Sequence, residues 1–211
     1  EMTSSLVGSE MCIRDSHYAE LSFPFRRFQI GKVYRGERAQ RGRFREFYQA
    51  DIDIIGDGAL DILNEAEIPA IIYDTFTRLG LHRFRIRVNN RKVLNGFFAI
   101  LGLTEKAGDV MRTIDKLEKI GLDNVKSELL ERGLGQEAVD KLQPILELSD
   151  DNSQKLTKLR EVLAVSETGL KGIEEMETVF GYVQRSGIGL TVELDLSLAR
   201  GLNYYLSLIH I

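Results

Sequence analysis

Residues 34–53 read YRGERAQRGRFREFYQADID, and this stretch constrains the chain more than any other. Its pattern predicts a β-hairpin: one strand over 33–38, a turn over 39–42 and a returning strand over 43–55. Side chains alternate across a strand with period two. Arg43, Arg45, Phe47, Gln49, Asp51 and Asp53 therefore share one side, while Phe44, Tyr48, Ala50, Ile52 and Ile54 fall mostly on the other. The second set suits a core. The first set belongs in a protein interior only if a ligand offsets its desolvation.

The alternation also arranges complementary chemistry. Guanidinium forks grip phosphate oxygens bidentately and stay charged at any physiological pH. The carboxylates farther along the face suit an ammonium group, and the Phe47 ring offers a stacking platform for a base. Phosphate, flat ring and amine side by side suggest ATP beside an amino acid. An exposed, salt-bridged hairpin with solvated arginines is the competing reading of the same residues.

Charge placement matters more than charge total. The formal net charge is −4 and the pI is near 5.5, which argues against nucleic-acid binding by bulk electrostatics. Yet Arg26, Arg27, Lys32, Arg35, Arg38, Arg41, Arg43 and Arg45 crowd a span whose only acid is Glu37. The single cysteine, Cys12, excludes an internal disulfide and a thiolate zinc cluster. His17, His82 and His210 are too scattered for metal-ligand spacing, so no protein-built metal site is expected. No apolar run approaches the ~18 residues that span a bilayer, and no secretory h-region follows a basic start. A reducing, cytoplasmic setting with no membrane partner is the simplest expectation.

Three blocks follow one another between two unpatterned ends. After the hairpin, apolar residues at helical spacings predict a helix over 58–81, then a strand over 83–88 with Phe84, Ile86 and Val88 inward. Asn89 and Asn90 supply a turn before a short helix over 93–100. From 104 to 186 leucines and charges alternate in helical phase, broken at Gly121, Gly133, Gly135 and around 149–153. Those stripes read as the packing faces of a helical insertion. Residues 190–198 alternate strictly, with Leu190, Val192, Leu194, Leu196 and Leu198 on one face and Arg200 just beyond in the same phase. An arginine there needs a counter-charge, either a local acid such as Glu193 or Asp195 or a ligand in a pocket. Residues 1–16 and 206–211 lack periodicity and are read as sequence foreign to an internal fragment, without function of their own.

Two of these segments carry a family resemblance. Arg35-Gly-Glu37, the Arg41 to Arg43 loop, Phe47 and Asp51 resemble motif 2 of class II aminoacyl-tRNA synthetases. Residues 198–205, Leu-Ala-Arg-Gly-Leu-Asn-Tyr-Tyr, resemble the Arg-Gly-Leu-Asp-Tyr-Tyr signature of the histidyl-tRNA synthetase family. The similarity runs over 17–205 and takes in the stretch from Ile86 to Leu94. It implies an α+β fold, a class II synthetase-type antiparallel β-sheet flanked by helices with an all-helical insertion. Residues 17–103 and 187–205 would form the catalytic core, and 104–186 the insertion leaning toward the tRNA acceptor arm.

The resemblance also implies a reaction and its residues. Histidine and ATP would give histidyl-adenylate and pyrophosphate, and the histidyl group would pass to tRNA(His). Arg35 would hold the α-phosphate, Glu37 would face the adenine side, Arg43 would reach the outer phosphates and Phe47 would stack on adenine. Gln49 and Asp53 would receive the substrate ammonium. Arg200 would lie across the α-phosphate and substrate carboxylate, with Tyr204 and Tyr205 lining an imidazole pocket. Mg2+ would accompany ATP on its outer phosphates, and the parent enzyme would be a homodimer. Asn203 stands where the family has Asp, which removes a charge from that position. Motif 1 would precede residue 17 and motif 3 would follow residue 205, so this piece is not expected to aminoacylate alone. Two related readings share the fold: an ATP phosphoribosyltransferase regulatory subunit of histidine biosynthesis, and a non-catalytic synthetase-like module of a regulatory kinase. Retention of Arg35, Arg43 and Arg200 together favours the enzyme.

Overall fold

The computed structural model describes residues 16–36, 38, 40–146 and 151–198. They fall into two compact units, one within residues 1–60 and one within residues 61–211.

The first unit is built on the hairpin. Strand β1 (Phe25–Tyr34) pairs antiparallel with β2 (Glu46–Ile55), in a register that sets Arg27 opposite Asp53, Gln29 opposite Asp51, Gly31 opposite Gln49 and Val33 opposite Phe47. The first strand thus begins well before residue 33, because the alternating residues from Phe25 onward complete the ladder. Beyond it the Arg35 N–H donates to the Arg45 carbonyl at 2.8 Å. Gln40 and Arg43 then exchange two backbone hydrogen bonds of 3.1 and 2.9 Å around Gly42, whose φ of 76° suits glycine.

The expected core face of this hairpin is not a core. Phe44 and Tyr48 are 68% and 70% exposed, as are Phe28 and Ile30 on the partner strand at 74% and 68%. The polar face is the more covered one, with Phe47, Gln49, Asp51 and Asp53 half-buried. A two-stranded ribbon supplies no second layer for either face. Its polar side chains shield one another by hydrogen bonding, which aromatic rings on a single ribbon cannot do.

The second unit holds helices around a parallel strand pair. In chain order these are α1 (Leu63–Arg78), β3 (Ile86–Val88), α2 (Arg91–Ile100), α3 (Ala107–Ile114), α4 (Leu117–Ile120) and α5 (Leu122–Glu131). Then come α6 (Gln136–Leu146), α7 (Asn152–Val162), α8 (Glu167–Arg185) and β4 (Val192–Leu194). The expected breaks at Gly121, Gly133, Gly135 and near 151 all separate helices. Gly121 and Gly133 have φ of 78° and 80°, and the Asp151 side chain accepts from the Gln154 N–H. Helix α1 is shorter than the expected 58–81. Gly58 has a φ of 72°, and the Asp61 carboxylate takes the Leu63 N–H at 2.8 Å, which starts the helix later. Its buried positions are Asn64, Ala66 and Pro69 rather than the large residues of the predicted stripe; Leu63, Phe76 and Leu79 are exposed.

One apolar core runs through α2, α3, α5, α6, α7, α8 and β4, centred on residues such as Phe98, Ile114, Leu129, Leu159, Ile173 and Leu194. Strands β3 and β4 pair parallel, Ile86 with Val192 through Val88 with Leu194. Parallel neighbours need a long crossover, and the helices α2 to α8 provide it. The predicted inward set holds for Val192, Leu194 and Leu196, which are 1%, 1% and 4% exposed. The two ends of the expected set differ: Leu198 is half-buried, and Leu190 lies fully exposed in the turn before β4.

A side chain finishes the open edge of β4. The Asn152 amide donates from Nδ2 to the Val192 carbonyl and accepts the Leu194 N–H at Oδ1, both at 2.8 Å. Lys155 Nζ adds a bond to the Leu194 carbonyl at 2.8 Å. The amide thereby imitates one residue of a third strand. Asn152→Ala leaves a part-buried N–H and C=O without those bonds and is expected to cost about 2 kcal/mol, read by urea unfolding of the chain.

A second polar cluster joins helices. Glu175 of α8 is nearly buried; its Oε1 takes Lys92 Nζ at 2.6 Å and its Oε2 takes Asn90 Nδ2 at 2.8 Å. Asn90 also caps α2 by accepting the Lys92 N–H at 2.9 Å. Glu65 of α1 is desolvated and feels the Glu175 charge, which together push its pKa from 4.5 to about 7. An acid raised on folding destabilises the fold only once it must ionise. That penalty is absent below about pH 4.5, grows through the window and is complete above about pH 7. After screening of a partly exposed group, Glu65→Gln should stabilise the chain by about 1–2 kcal/mol at pH 8. The gain should vanish near pH 4, as chemical denaturation at the two pH values would show.

Candidate functional site

The hairpin register builds a polar face from both strands. Period-two alternation places Phe47, Gln49, Asp51 and Asp53 of β2 together, and pairing brings Arg27 and Gln29 of β1 beside them. Arg27 Nε lies 3.0 Å from Asp53 Oδ2, with side-chain exposures of 9% and 34%. Arg27 Nη2 also donates to Gln29 Oε1 at 3.1 Å. Asp53, expected to face a substrate ammonium, thus has a buried guanidinium as its neighbour in the chain itself. The sequence reading missed Arg27 because it began the first strand too late; the alternation of Phe25, Arg27 and Gln29 was the available signal.

Arg35 reaches back over the same face from just past β1. Its Nη2 donates to Gln49 Oε1 at 2.8 Å, and its guanidinium carbon sits 5.1 Å from the Phe47 ring centre. Gln49 Nε2 in turn donates to both Asp51 oxygens, at 2.7 and 2.8 Å. Arg35, Phe47, Gln49 and Asp51 therefore form one connected group of guanidinium, ring, amide and carboxylate. Nothing on β1 crowds the amide, since Gly31 opposite has open space where a Cβ would be. Arg43 is exposed at the hairpin tip.

Such a face can hold an anion on Arg35, a flat ring against Phe47 and a cation at the oxygens of Gln49, Asp51 and Asp53. Among the described residues, no three His, Cys, Asp or Glu side chains cluster to hold a metal ion. No described helix is long and apolar enough to cross a membrane. Glu37, Arg200, Asn203, Tyr204 and Tyr205 lie outside the described residues, so the convergence expected of Arg35 and Arg200 does too. The acids named as local partners for Arg200 have other partners, on β3 and just before it. Arg85 Nη1 lies 2.9 Å from Glu193, and Arg87 reaches Glu193 at 3.3 Å and Asp195 at 3.4 Å.

Known proteins resemble this chain over nearly its whole length. A family model described as histidyl-tRNA synthetase matches residues 13–209, a span that includes a few residues of each unpatterned end. The histidine–tRNA ligase of Bacteroides fragilis is 52% identical over 189 residues, covering 90% of this chain and 41% of that protein. The Clostridium tetani ligase is 48% identical over 190 residues, 90% of this chain and 43% of that protein. The chain thus spans less than half the length of these relatives. The crystal structure of histidyl-tRNA synthetase from Nostoc sp. PCC 7120 superposes with a TM-score of 0.84 at 39% identity, over 92% of this chain and 45% of that one. The α+β fold expected from the sequence is therefore the fold observed. A structure from Bacillus halodurans, described as an ATP phosphoribosyltransferase regulatory subunit/histidyl-tRNA synthetase, gives a TM-score of 0.78 at 21% identity. It covers 95% of this chain and 50% of that one, and at that identity it shows the shared fold alone.

Proposed function

The chain belongs to the histidyl-tRNA synthetase family, and from that premise we propose that it supplies ATP- and histidine-binding surface to a histidine–tRNA ligase. The observation that carries the reading is the single hairpin face on which Arg35, Phe47, Gln49 and Asp53 lie together. In the proposed reaction the histidine carboxylate attacks the α-phosphorus of Mg–ATP, and pyrophosphate leaves. The terminal hydroxyl of tRNA(His) then attacks the carbonyl carbon of histidyl-adenylate, forming the ester as the bond to AMP breaks and AMP leaves. The protein's work is positioning and charge stabilisation.

Arg35 binds the α-phosphate, giving up its bond to Gln49 Oε1 or sharing it with the ligand. Phe47 stacks on adenine, Glu37 faces the adenine side, and Arg43 reaches the outer phosphates. Gln49 and Asp53 receive the ammonium, with Arg27 fixing the Asp53 carboxylate in place. Arg200 crosses the α-phosphate from the opposite side, while Tyr204 and Tyr205 hydrogen-bond the imidazole. A pocket built to pair a ring nitrogen rejects apolar amino acids, which would leave its polar groups unpaired. A cytoplasmic homodimer is part of the same reading.

The test is a chimera in which residues 17–205 replace the aligned segment of the Bacteroides fragilis ligase. Histidine-dependent exchange of pyrophosphate into ATP is expected. A folded chimera without exchange would overturn the ligase reading and favour a regulatory relative.

A further inference from the structure

We propose that Asp51 is a positioning residue: it fixes the amide of Gln49 so that the oxygen, not the nitrogen, faces the substrate ammonium. The inference rests on the proposed function, in which Gln49 and Asp53 receive that ammonium, and it assigns Asp51, whose carboxylate shares their face, to the amide of Gln49 rather than to the ammonium itself.

An amide presents an acceptor at one end and two donors at the other, and it can be turned end for end at little steric cost. An ammonium ion carries donors only. Gln49 is useful to it in one orientation and repulsive in the other. The structure shows what selects between them. Asp51 is acceptor-only and takes Nε2 with both oxygens, at 2.7 and 2.8 Å. Arg35 is donor-only and meets Oε1 at 2.8 Å. Each neighbour independently enforces the same orientation.

The two neighbours are not equivalent during turnover. Arg35 is the group proposed to leave for the α-phosphate, so its hold on Oε1 weakens when ATP binds. Both Asp51 oxygens are taken up by Gln49 Nε2, so on this reading its contacts persist while the amide oxygen is needed. The residue directly opposite Gln49 is Gly31, which has no side chain to hold the amide. A carboxylate on the NH2 end also polarises the amide and makes Oε1 a better acceptor.

Asp51→Asn tests this in the chimera with little change of shape. Asparagine offers both a donor and an acceptor, so either orientation of Gln49 is satisfied. The KM for histidine should rise about tenfold, with kcat and the KM for ATP within about twofold. Asp51→Glu, which stays acceptor-only, should return the histidine KM to within about threefold of the unsubstituted chimera.

A second background separates positioning from mere support. In Gln49→Glu, residue 49 has oxygen at both ends and needs no orienting, but it is repelled by Asp51. There Asp51→Asn should lower the histidine KM instead of raising it. A rise in both backgrounds, or no change in either, overturns the inference. The reading beneath it has its own readout: if Gln49→Ala leaves the histidine KM unchanged, Gln49 does not meet the ammonium and the site assignment fails first.

Discussion

Arg35→Ala is expected to slow histidine-dependent ATP–pyrophosphate exchange by about a hundredfold to a thousandfold, the loss typical of one charge-stabilising donor. The geometry explains why so much should rest on one side chain. Arg35 is exposed and sits beyond the end of β1, where its N–H bonds the Arg45 carbonyl at 2.8 Å. Alanine keeps that backbone bond, so stability should change by no more than about 0.5 kcal/mol. The guanidinium's contacts, Gln49 Oε1 at 2.8 Å and the Phe47 ring at 5.1 Å, hold it over the polar face without burying it. In the proposed reaction, charge assistance to a developing phosphorane is what alanine removes. Arg35→Lys should recover only part of the rate, because a single ammonium cannot span two phosphate oxygens. Exchange within about threefold of the unsubstituted chimera would remove Arg35 from the α-phosphate. Arg200→Ala should fall in the same range if the two arginines flank one phosphorus.

The largest stability loss should come from Gly96→Ala, about 3 kcal/mol or more in urea unfolding of the chain. A Cβ at residue 96 of α2 would lie 2.5 Å from Gly169 Cα, 2.6 Å from Gly169 N and 2.7 Å from Ser166 Oγ. None of these atoms is the free end of a flexible side chain. Gly169 and its N–H belong to the first turn of α8, and Ser166 Oγ is the cap accepting that N–H at 3.2 Å. Gly172, one turn on, returns the contact: its Cβ would fall 2.8 Å from Val93 N and 2.9 Å from Lys92 Cβ. The two helices meet backbone to backbone at this crossing, so a methyl group must drive them apart. Gly108 is the control. It lies in α3 with nothing within 4 Å of its Cβ position. Gly108→Ala should therefore stabilise the chain by up to about 1 kcal/mol through helix propensity. Equal effects at 96 and 108 would show that helix propensity, not the α2–α8 contact, governs residue 96.

Local patterns were readable wherever the physics is local. Alternation in β2 put Phe47, Gln49, Asp51 and Asp53 on one face because successive side chains must point oppositely, whatever surrounds the strand. The same held for Val192, Leu194 and Leu196. Glycines at 121 and 133 marked helix ends because each backbone there takes a positive φ. Asn90, read as a turn residue, proved to be the α2 cap, a role the same side-chain oxygen can fill. Alternation could not say which face would be covered, since that depends on partners supplied from elsewhere. Phe44 and Tyr48 were assigned to a core on composition and lie exposed.

The rest required residues far apart in the chain to meet. Arg27 reaches Asp53 across the hairpin, and Asn152 closes the edge of a strand forty residues away in sequence. Neither partner carries a mark of the other. Gly96 reads as a weak point in a helix until α8 is laid against it, and Asp51 reads as one more acid until Gln49 turns its amide toward it. The sequence by itself determined the family, the breaks between helices and the chemistry gathered on one hairpin face, because these follow from residue type and spacing. Only the tertiary structure decided which groups touch: the α2–α8 crossing, the amide at the strand edge and the ordered Arg35–Gln49–Asp51 chain. Contacts between distant residues depend on how backbones approach in space, and no local period encodes that distance.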